Sequence, residues 1–473
     1  MKQSARAAAC ARDRMAQPVL SPAPGASYAD HVNPQWVRLL DILQMNVRYE
    51  RCAGAELHAA NGRTIVDFLS GYGVYNAGHN HPRIVAALKD ELDRNGPSML
   101  QSHVPETAGT LAERLCRVAA SSADSRGGLN KVFFCSSGSE GVETAIKFAR
   151  AHTCRAGLLY ADGAFHGLTC GALSLMGDPY WRKGFGPLLP EVESVPFGDL
   201  EPLRKKLETR RFAAFIVEPI QAEGGVRIPP PDYLRKARDL CRQHGAIFVL
   251  DEVQTGMYRT GPFLAAHRFG VQADMVILAK SLSGGLVPVG AVLMTDPIYQ
   301  SVYDSFKRAI VHTSTYSENG LSMRAGLATL DVLEEESLGS RGDQLGEQLR
   351  EELRSSLSRY EMVKEIRGAG MLTGIEFQAP KQFRLRVPFE AFRRIHEGMF
   401  GQVLVMRLFR DYNFLTQICG NNFMVLKVAP PLNIDESHLE RFVKSIGELV
   451  ELAHTNNNFW SEALGIARRA LNV

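Results

Sequence analysis

Between about Lys131 and Ala291, short β-branched or aromatic runs alternate with longer segments patterned for helices. Val132-Phe133-Phe134, Phe215-Ile216-Val217, Ile247-Phe248-Val249-Leu250 and Val276-Ile277-Leu278 are apolar throughout, as strands covered on both faces must be. This alternation predicts βαβ units and an α/β fold on a mainly parallel sheet. Ligands of such sheets bind beyond the carboxyl ends of the strands, and polar or charged residues follow the runs there.

The chain has 473 residues, 45% of them hydrophobic, which is more than one compact domain usually holds. Residues 81–338 form the expected large domain. Beyond Leu338 the sequence is richer in charge, with a long helical stretch, a break at Gly368-Ala369-Gly370 and a strand from Leu372 to Phe377. A smaller α+β domain is expected over 339–473, closed by a docking helix from Trp460 to Val473. The stretch 28–80 is punctuated by glycine, notably in Ser70-Gly71-Tyr72-Gly73-Val74-Tyr75-Asn76-Ala77-Gly78-His79. It reads as loop joining the smaller domain, with close backbone approach at its glycines. Pro18, Pro22, Pro24 and Gly25 break any regular element before it, so 1–27 reads as a disordered leader.

The 54 basic residues nearly balance 51 acidic ones, leaving no field of one sign for nucleic acid or an anionic membrane. No run of about 18 apolar residues is present to span a bilayer. Eight cysteines are scattered without a CxxC pair or a Cys/His cluster at metal-ligand spacing. The expectation is a cytoplasmic protein that meets small molecules, with no metal, nucleic acid or membrane.

Three strand ends carry the chemistry. Cys135-Ser136-Ser137-Gly138-Ser139-Glu140 follows one strand and opens a helix with Val142, Ala145, Ile146 and Ala149 on one face. The first amides of a helix lack internal partners and its dipole favours negative charge, so this small-residue turn can cradle a phosphate. A serine there is, taken alone, more often only a cap. Asp251-Glu252-Val253-Gln254-Thr255-Gly256 puts a carboxylate at the end of the run Ala246 to Leu250. A carboxylate there stays ionised only with a partner. A protonated pyridine nitrogen is one such partner, and holding it keeps the ring an electron sink; an acidic cap on the next turn is the alternative. Lys280 ends Met275-Val276-Ile277-Leu278-Ala279, where partial burial penalises the ammonium. A lowered pKa yields the neutral amine that attacks an aldehyde; a lysine snorkelling to the surface is the alternative. Ala164-Phe165-His166-Gly167 adds an aromatic plane and an imidazole, and Glu218-Pro219-Ile220-Gln221 ends another strand. Phe165 can stack on a flat ring.

In this order the segments resemble the class III aminotransferases of fold type I, the family of the ornithine, acetylornithine, 4-aminobutyrate and putrescine aminotransferases, over about Tyr28 to Glu451. The family's Gly-rich N-terminal segment, phosphate turn, aromatic-His-Gly loop, E-P-x-Q, D-E-V-Q-T-G, Schiff-base lysine and threonine loop are all matched, ending on His312-Thr313-Ser314-Thr315-Tyr316. The resemblance implies a large domain on a mainly parallel seven-stranded sheet, a smaller α+β domain, and pyridoxal 5′-phosphate as cofactor. It implies that Ser137, Gly138 and Ser139 hold the phosphate, that Phe165 stacks on the ring with His166 beside it, and that Val253 packs on the opposite face. Asp251 would pair with the ring nitrogen, Gln254 would lie near the phenolic oxygen, Glu218 would support the ring-side hydrogen bonds, and Lys280 would form the Schiff base. Thr315 would reach the phosphate of a neighbouring subunit, which implies a homodimer with shared active sites.

Tyr72, Leu168, Glu223 and Lys427 fall on the substrate side of that scheme. Leu168 stands where several family members carry an arginine that clamps a substrate carboxylate. Lys427 stands where the ornithine and 4-aminobutyrate enzymes pair an arginine with the residue matching Glu223. The threonine loop continues Ser317-Glu318-Asn319-Gly320 instead of the common G-G-N-P. His31-Val32-Asn33-Pro34, Gly71 to Asn76, and Gly163 to Gly167 followed by Gly171-Ala172-Leu173-Ser174 look most like putrescine aminotransferase. The implied reaction is a ping-pong transfer from a primary amine, diamine or ω-amino compound to 2-oxoglutarate or pyruvate. Alternatives are an α-amino acid donor of the ornithine or acetylornithine type, a decarboxylase or aminomutase on the same fold, and a cofactor-binding scaffold without activity. A nicotinamide dehydrogenase has no G-x-G-x-x-G after a strand to support it.

Overall fold

In the computed structural model, which describes residues 25–100, 102–120, 128–395, 397–455 and 459–460, the chain enters through helices Ala26–His31 and Pro34–Ile42. Three antiparallel strands follow, β1 (Tyr49–Ala53), β2 (Glu56–Ala59) and β3 (Thr64–Asp67). The loop expected over 28–80 is corrected here. Each strand has only four or five residues, too few for alternation to stand out among glycines. The second edge of β3 is completed in parallel by Phe414 and Leu415 from the far end of the chain. Residues 1–24 of the expected leader lie outside the described residues.

The predicted runs fall in one seven-stranded sheet: β4 (Lys131–Cys135), β5 (Gly157–Ala161), β6 (Val192–Val195), β7 (Phe212–Val217), β8 (Ile247–Asp251), β9 (Met275–Leu278) and β10 (Gly290–Met294). The spatial order is β4-β10-β9-β8-β7-β5-β6. Strands β5 to β9 are parallel, and β10 runs against both β4 and β9. Every residue of β7, β8 and β9 is buried, which is why these segments read as unbroken apolar runs. The helix Gly138–Thr153 lies on one face, with Val142, Ala145, Ile146 and Ala149 in a core with Ile216, Val249, Ile277 and Val292. Because β4 and β9 both oppose β10, the carboxyl ends of β4, β7, β8 and β9 share one edge. Ser136 to Ser139, Glu218, Asp251 and Lys280 follow those four ends.

The C-terminal part pairs β11 (Val363–Ala369), β12 (Leu372–Phe377), β14 (Gln417–Cys419) and β15 (Asn422–Val428) as an antiparallel sheet of order β11-β12-β15-β14, with β13 (Phe414–Leu415) given over to β3. Helices Leu338–Leu357, Met399–Tyr412 and Glu436–Thr455 accompany it. The predicted break at Gly368-Ala369-Gly370 is narrower than expected, since Gly368 and Ala369 stay in β11 opposite Thr373 and Leu372 and only Gly370 turns, at φ 52°. Trp460 stacks on Phe392 at 5.3 Å and its indole donates to the Ala453 carbonyl at 2.9 Å. The rest of the expected docking helix lies outside the described residues. Among the described residues no helix is long and apolar enough to cross a membrane.

Candidate active site

A cavity of about 510 Å³ opens at the shared strand edge. Ser136 to Ser139 line one part of it, Phe165 to Gly167 another, and Glu218, Asp251, Val253, Gln254 and Lys280 complete it. Residues that follow five strands, β4, β5, β7, β8 and β9, thus meet in one space, as the sheet topology requires.

The serine turn is both a cap and an opening. Ser137 Oγ accepts the Glu140 amide at 3.2 Å, and the Glu140 carboxylate reaches back to the Ser136 amide at 2.7 Å, so the capping reading is correct as far as it goes. Gly138 and Ser139 begin the helix, where their amides have no intrahelical acceptor. A Cβ at Gly138 would come within 3.0 Å of both Val253 methyl groups. A side chain there would therefore fill the space between the helix N-terminus and Val253.

At the end of β8, Asp251 is buried. Its Oδ2 lies 2.7 Å from His166 Nδ1, and its Oδ1 accepts the Val253 amide at 3.1 Å. Burial disfavours a charged His166, but the hydrogen bond and charge of Asp251 outweigh it and raise the imidazole's pKa. Glu218 accepts the Phe165 amide at 3.0 Å. Burial pushes its carboxyl up to about 7, against the pull of His166. The alternative role for this segment, an acidic cap, belongs to the next residue: Glu252 turns away and accepts the amides of Ala265 and Ala266 at 3.0 and 2.8 Å.

Lys280 starts a short 3-10 turn after β9 with φ 45°, a left-handed conformation that costs a non-glycine residue about 1–2 kcal/mol. Burial pushes its ammonium down to about 8, with Glu223 and Lys427 acting in opposite senses. A neutral amine is thus within reach near neutrality, next to a carboxylate and an anion cradle.

Of the residues implied for the substrate side, none is among those that line this cavity. Lys427 and Glu223 form a buried ion pair, as the resemblance implies for their positions, with Lys427 Nζ donating to Glu223 Oε1. Glu223 also accepts from Gln254 at 3.2 Å and from the Gly420 amide at 2.8 Å. Burial opposes its charge, yet Lys427 holds the Glu223 carboxyl below its usual range; burial likewise opposes the Lys427 charge, which Glu223 raises. The pair sits one residue behind the cavity wall, with Gln254 between. Tyr72 covers it, its ring 4.7 Å from Lys427 Nζ.

A left-handed turn delivers that ring, with φ 50°, 59°, 64° and 87° at Ser70, Gly71, Tyr72 and Gly73. Asp67 holds the turn by accepting the amides of Leu69 and Ser70, each at 2.8 Å, while its other oxygen meets His79 at 2.8 Å. Leu168 is 53% exposed, with its amide 3.4 Å from Ser139 Oγ. Thr315 is not brought to Lys280 either. It lines a second cavity of about 630 Å³ with Ser102, His103, Tyr303 and Glu318.

Two contacts of Trp181 beside Phe165 were not foreseen in the sequence. Trp181 meets Phe165 edge-on at 5.5 Å, and its indole donates to Asn421 Oδ1 at 2.8 Å. The only signal was compositional: Trp181 is one of three tryptophans in the chain. Deeper in, Arg259 is fully buried and ties Asn76 to the carbonyls of Met371 and Pro430.

Residues 41–450 match the family model described as class-III aminotransferase. The aminotransferase PigE of a Serratia strain is 35% identical over 455 residues, a match that takes in 90% of this chain and 53% of the relative, so the chain spans about half the length of that curated relative. Among solved structures, the ornithine aminotransferase of Toxoplasma gondii superposes with a TM-score of 0.76 at 29% identity, covering 86% of this chain and 91% of that one. A PLP-bound amine transaminase from an uncultivated Pseudomonas species gives 0.72 at 28% identity, covering 86% and 94%. With the family model matched over most of the chain, and the serine turn, Asp251 and Lys280 gathered at one sheet edge, the protein belongs to the class III aminotransferases.

Proposed function

We infer that this protein transfers an amino group from a primary amine to a keto acid such as 2-oxoglutarate or pyruvate, using pyridoxal 5′-phosphate held on Lys280. The observation that carries this reading is the half-buried Lys280 amine, pushed down to about 8, in one cavity with Asp251 and the N-terminus of the helix Gly138–Thr153. The cavity's residues fit that cofactor. The free amides at Gly138 and Ser139 and the hydroxyls of Ser137 and Ser139 suit a phosphate, Gly138 has no side chain to crowd Val253 beside them, and Phe165 and Val253 supply apolar faces for a ring.

When bound, pyridoxal 5′-phosphate supplies an aldehyde that captures amines and a protonated ring that accepts the electrons released by C–H cleavage. The chain's own residues do the rest. Asp251, oriented by His166, would hold the ring nitrogen of the cofactor and favour its protonated form. Lys280 Nζ, in its neutral form, would serve as the base that moves a proton from the donor's carbon. Its depressed pKa makes that exchange possible near neutrality. With a keto acid as acceptor, the same Lys280 amine would carry the proton in the reverse direction.

Two features favour a donor without an α-carboxylate. Leu168 puts an isobutyl group, not a cation, at the mouth, and Lys427 is bound to Glu223 and covered by Tyr72. A missing charge-assisted contact removes about 1.5–3 kcal/mol from recognition of a carboxylate. The position of Thr315 away from its own Lys280 supports a homodimer in which that residue serves the partner's site. A screen of putrescine, longer monoamines, ornithine and acetylornithine against several keto acids tests the reading. Stoichiometric carbonyl product and new amino acid are expected, with the amines preferred. Release of carbon dioxide would point to a decarboxylase, and a tenfold preference for the α-amino acids, about 1.4 kcal/mol, would overturn the donor assignment.

A further inference from the structure

The β14–β15 hairpin tip, Gly420-Asn421, reaches from the C-terminal sheet to Glu223 and to the loop that leads into Phe165. Its contacts are specific. The Gly420 amide donates to Glu223 Oε2 at 2.8 Å, and the Asn421 amide donates to the Glu223 carbonyl at 2.9 Å. The Asn421 side chain is used at both ends. Its Nδ2 donates to the carbonyls of Gly163 and Ala164 at 3.1 and 2.9 Å, and its Oδ1 accepts the indole of Trp181. Gly163 and Ala164 lead directly into Phe165, so one amide fixes Trp181 against the loop that presents the cavity's aromatic plane.

The indole is also close to the Glu223 side. A Cβ built on Gly420 would stand 3.2 Å from Glu223 Oε2 and 3.6 Å from Trp181 Cζ2, so both the ring and the carboxylate pack close to that glycine. Trp181 meets Phe165 at 5.5 Å and Tyr180 at 5.3 Å, both edge-on. Tyr180 is 72% exposed, so the aromatic surface of Phe165 and Trp181 continues outward to solvent.

The geometry points to Trp181 as a specificity-determining residue and Asn421 as its positioning residue: together they build an apolar wall that selects donor amines by the length of an uncharged alkyl chain. This rests on the amino-transfer reading and goes beyond it by naming what the donor carries away from its nitrogen. A monoamine's alkyl chain lying along Phe165 and Trp181 leaves water, whereas a diamine of equal length must bring a second ammonium to the same apolar surface.

The test uses holoenzyme and unbranched monoamines from butylamine to octylamine, with putrescine and ornithine alongside. Wild type should gain in kcat/KM with each added methylene, by up to about fourfold where the chain is fully enclosed. The octylamine-to-butylamine ratio should fall about tenfold in Trp181→Ala and several-fold in Asn421→Ala, while Trp181→Phe should keep most of it by retaining an aromatic face. A merely structural role would lower all donors alike and leave that ratio unmoved. Cofactor absorbance and melting temperature identify any variant that fails to fold, and Trp181→Phe then decides with the binding measurement below.

Binding gives a readout independent of turnover. Octylamine should quench tryptophan fluorescence in wild type and not in Trp181→Phe, where Trp36 and Trp460 remain as controls. A flat dependence on chain length in wild type, or an equal ratio in Trp181→Ala, overturns the inference while leaving amino transfer intact. Failure of every amine with every keto acid overturns amino transfer itself, and the fluorescence comparison still decides the wall.

Discussion

Replacing Glu223 should unsettle the site more than replacing its partner, because Lys427 is wholly buried whereas the carboxylate has other donors. In Glu223→Gln the Lys427 ammonium loses its counter-ion in a place water does not reach. Breaking one side of a buried pair costs about 3–5 kcal/mol. Unfolding entropy for 473 residues at about 2 cal/mol/K per residue is roughly 1 kcal/mol/K, so the melting temperature should fall by about 3–5 °C. In Lys427→Met the Glu223 carboxylate keeps the Gly420 amide and Gln254, and its depressed pKa can rise, so the loss should be smaller. The double variant Glu223→Gln with Lys427→Met removes both charges and should recover most of the stability. The sign with pH follows from the shifts. Glu223 is lowered, so its contribution is lost as pH falls through its folded pKa; Lys427 is raised, so its contribution is lost as pH rises through its own. Thermal melts of the four proteins across that span measure the coupling as a cycle. An unchanged melting temperature in Glu223→Gln at neutral pH would refute the reasoning, as would a double variant weaker than both single ones.

Other consequences follow from the same cavity. Lys280, pushed from 10.5 down to about 8 by burial, destabilises the cofactor-free fold below pH 8, and that penalty fades as pH rises toward 10.5. Lys280→Met should therefore stabilise the cofactor-free protein at pH 7 by roughly 3 kcal/mol, a gain that vanishes near pH 10.5 in thermal melts. Capture of pyridoxal 5′-phosphate by the cofactor-free wild type should accelerate through about pH 8, as neutral amine accumulates; a rate independent of pH from 7 to 9 would contradict the shift. Asp251→Asn should slow the amine half-reaction at least 100-fold, the size of one lost electrostatic contact to developing charge, while changing cofactor affinity far less. Equal losses in rate and affinity would make Asp251 a cofactor anchor only.

The strands and the residues at their ends were legible because a parallel sheet imposes a simple code. Strands covered on both faces are short apolar runs, and a charged residue at the end of one, such as Asp251 or Lys280, is conspicuous and close to the ligand edge. The serine turn was legible for a different reason: the free amides of a helix start follow from chain geometry alone. Contacts between distant parts of the chain were not legible. Nothing in Phe414-Leu415 announces a parallel partner at Val66-Asp67, and nothing in a Gly-rich stretch announces that Asp67 will hold four left-handed residues in succession. Spacing could not separate residues that line the cavity from residues that hold its wall. Gln254 faces inward while Glu223 and Lys427 pair behind it, a distinction made by burial in three dimensions. Trp181 and Asn421 are far apart in sequence, so a hydrogen bond between them leaves no local pattern.

The measurement that bears most directly on the account is borohydride reduction of the enzyme with bound pyridoxal 5′-phosphate, followed by peptide mapping. The account predicts a single pyridoxyl group on the peptide containing Lys280, and no stable label in Lys280→Ala even though the serine turn, Phe165 and Asp251 remain to hold the cofactor. Label on a different lysine, or an undiminished label in Lys280→Ala, would contradict it.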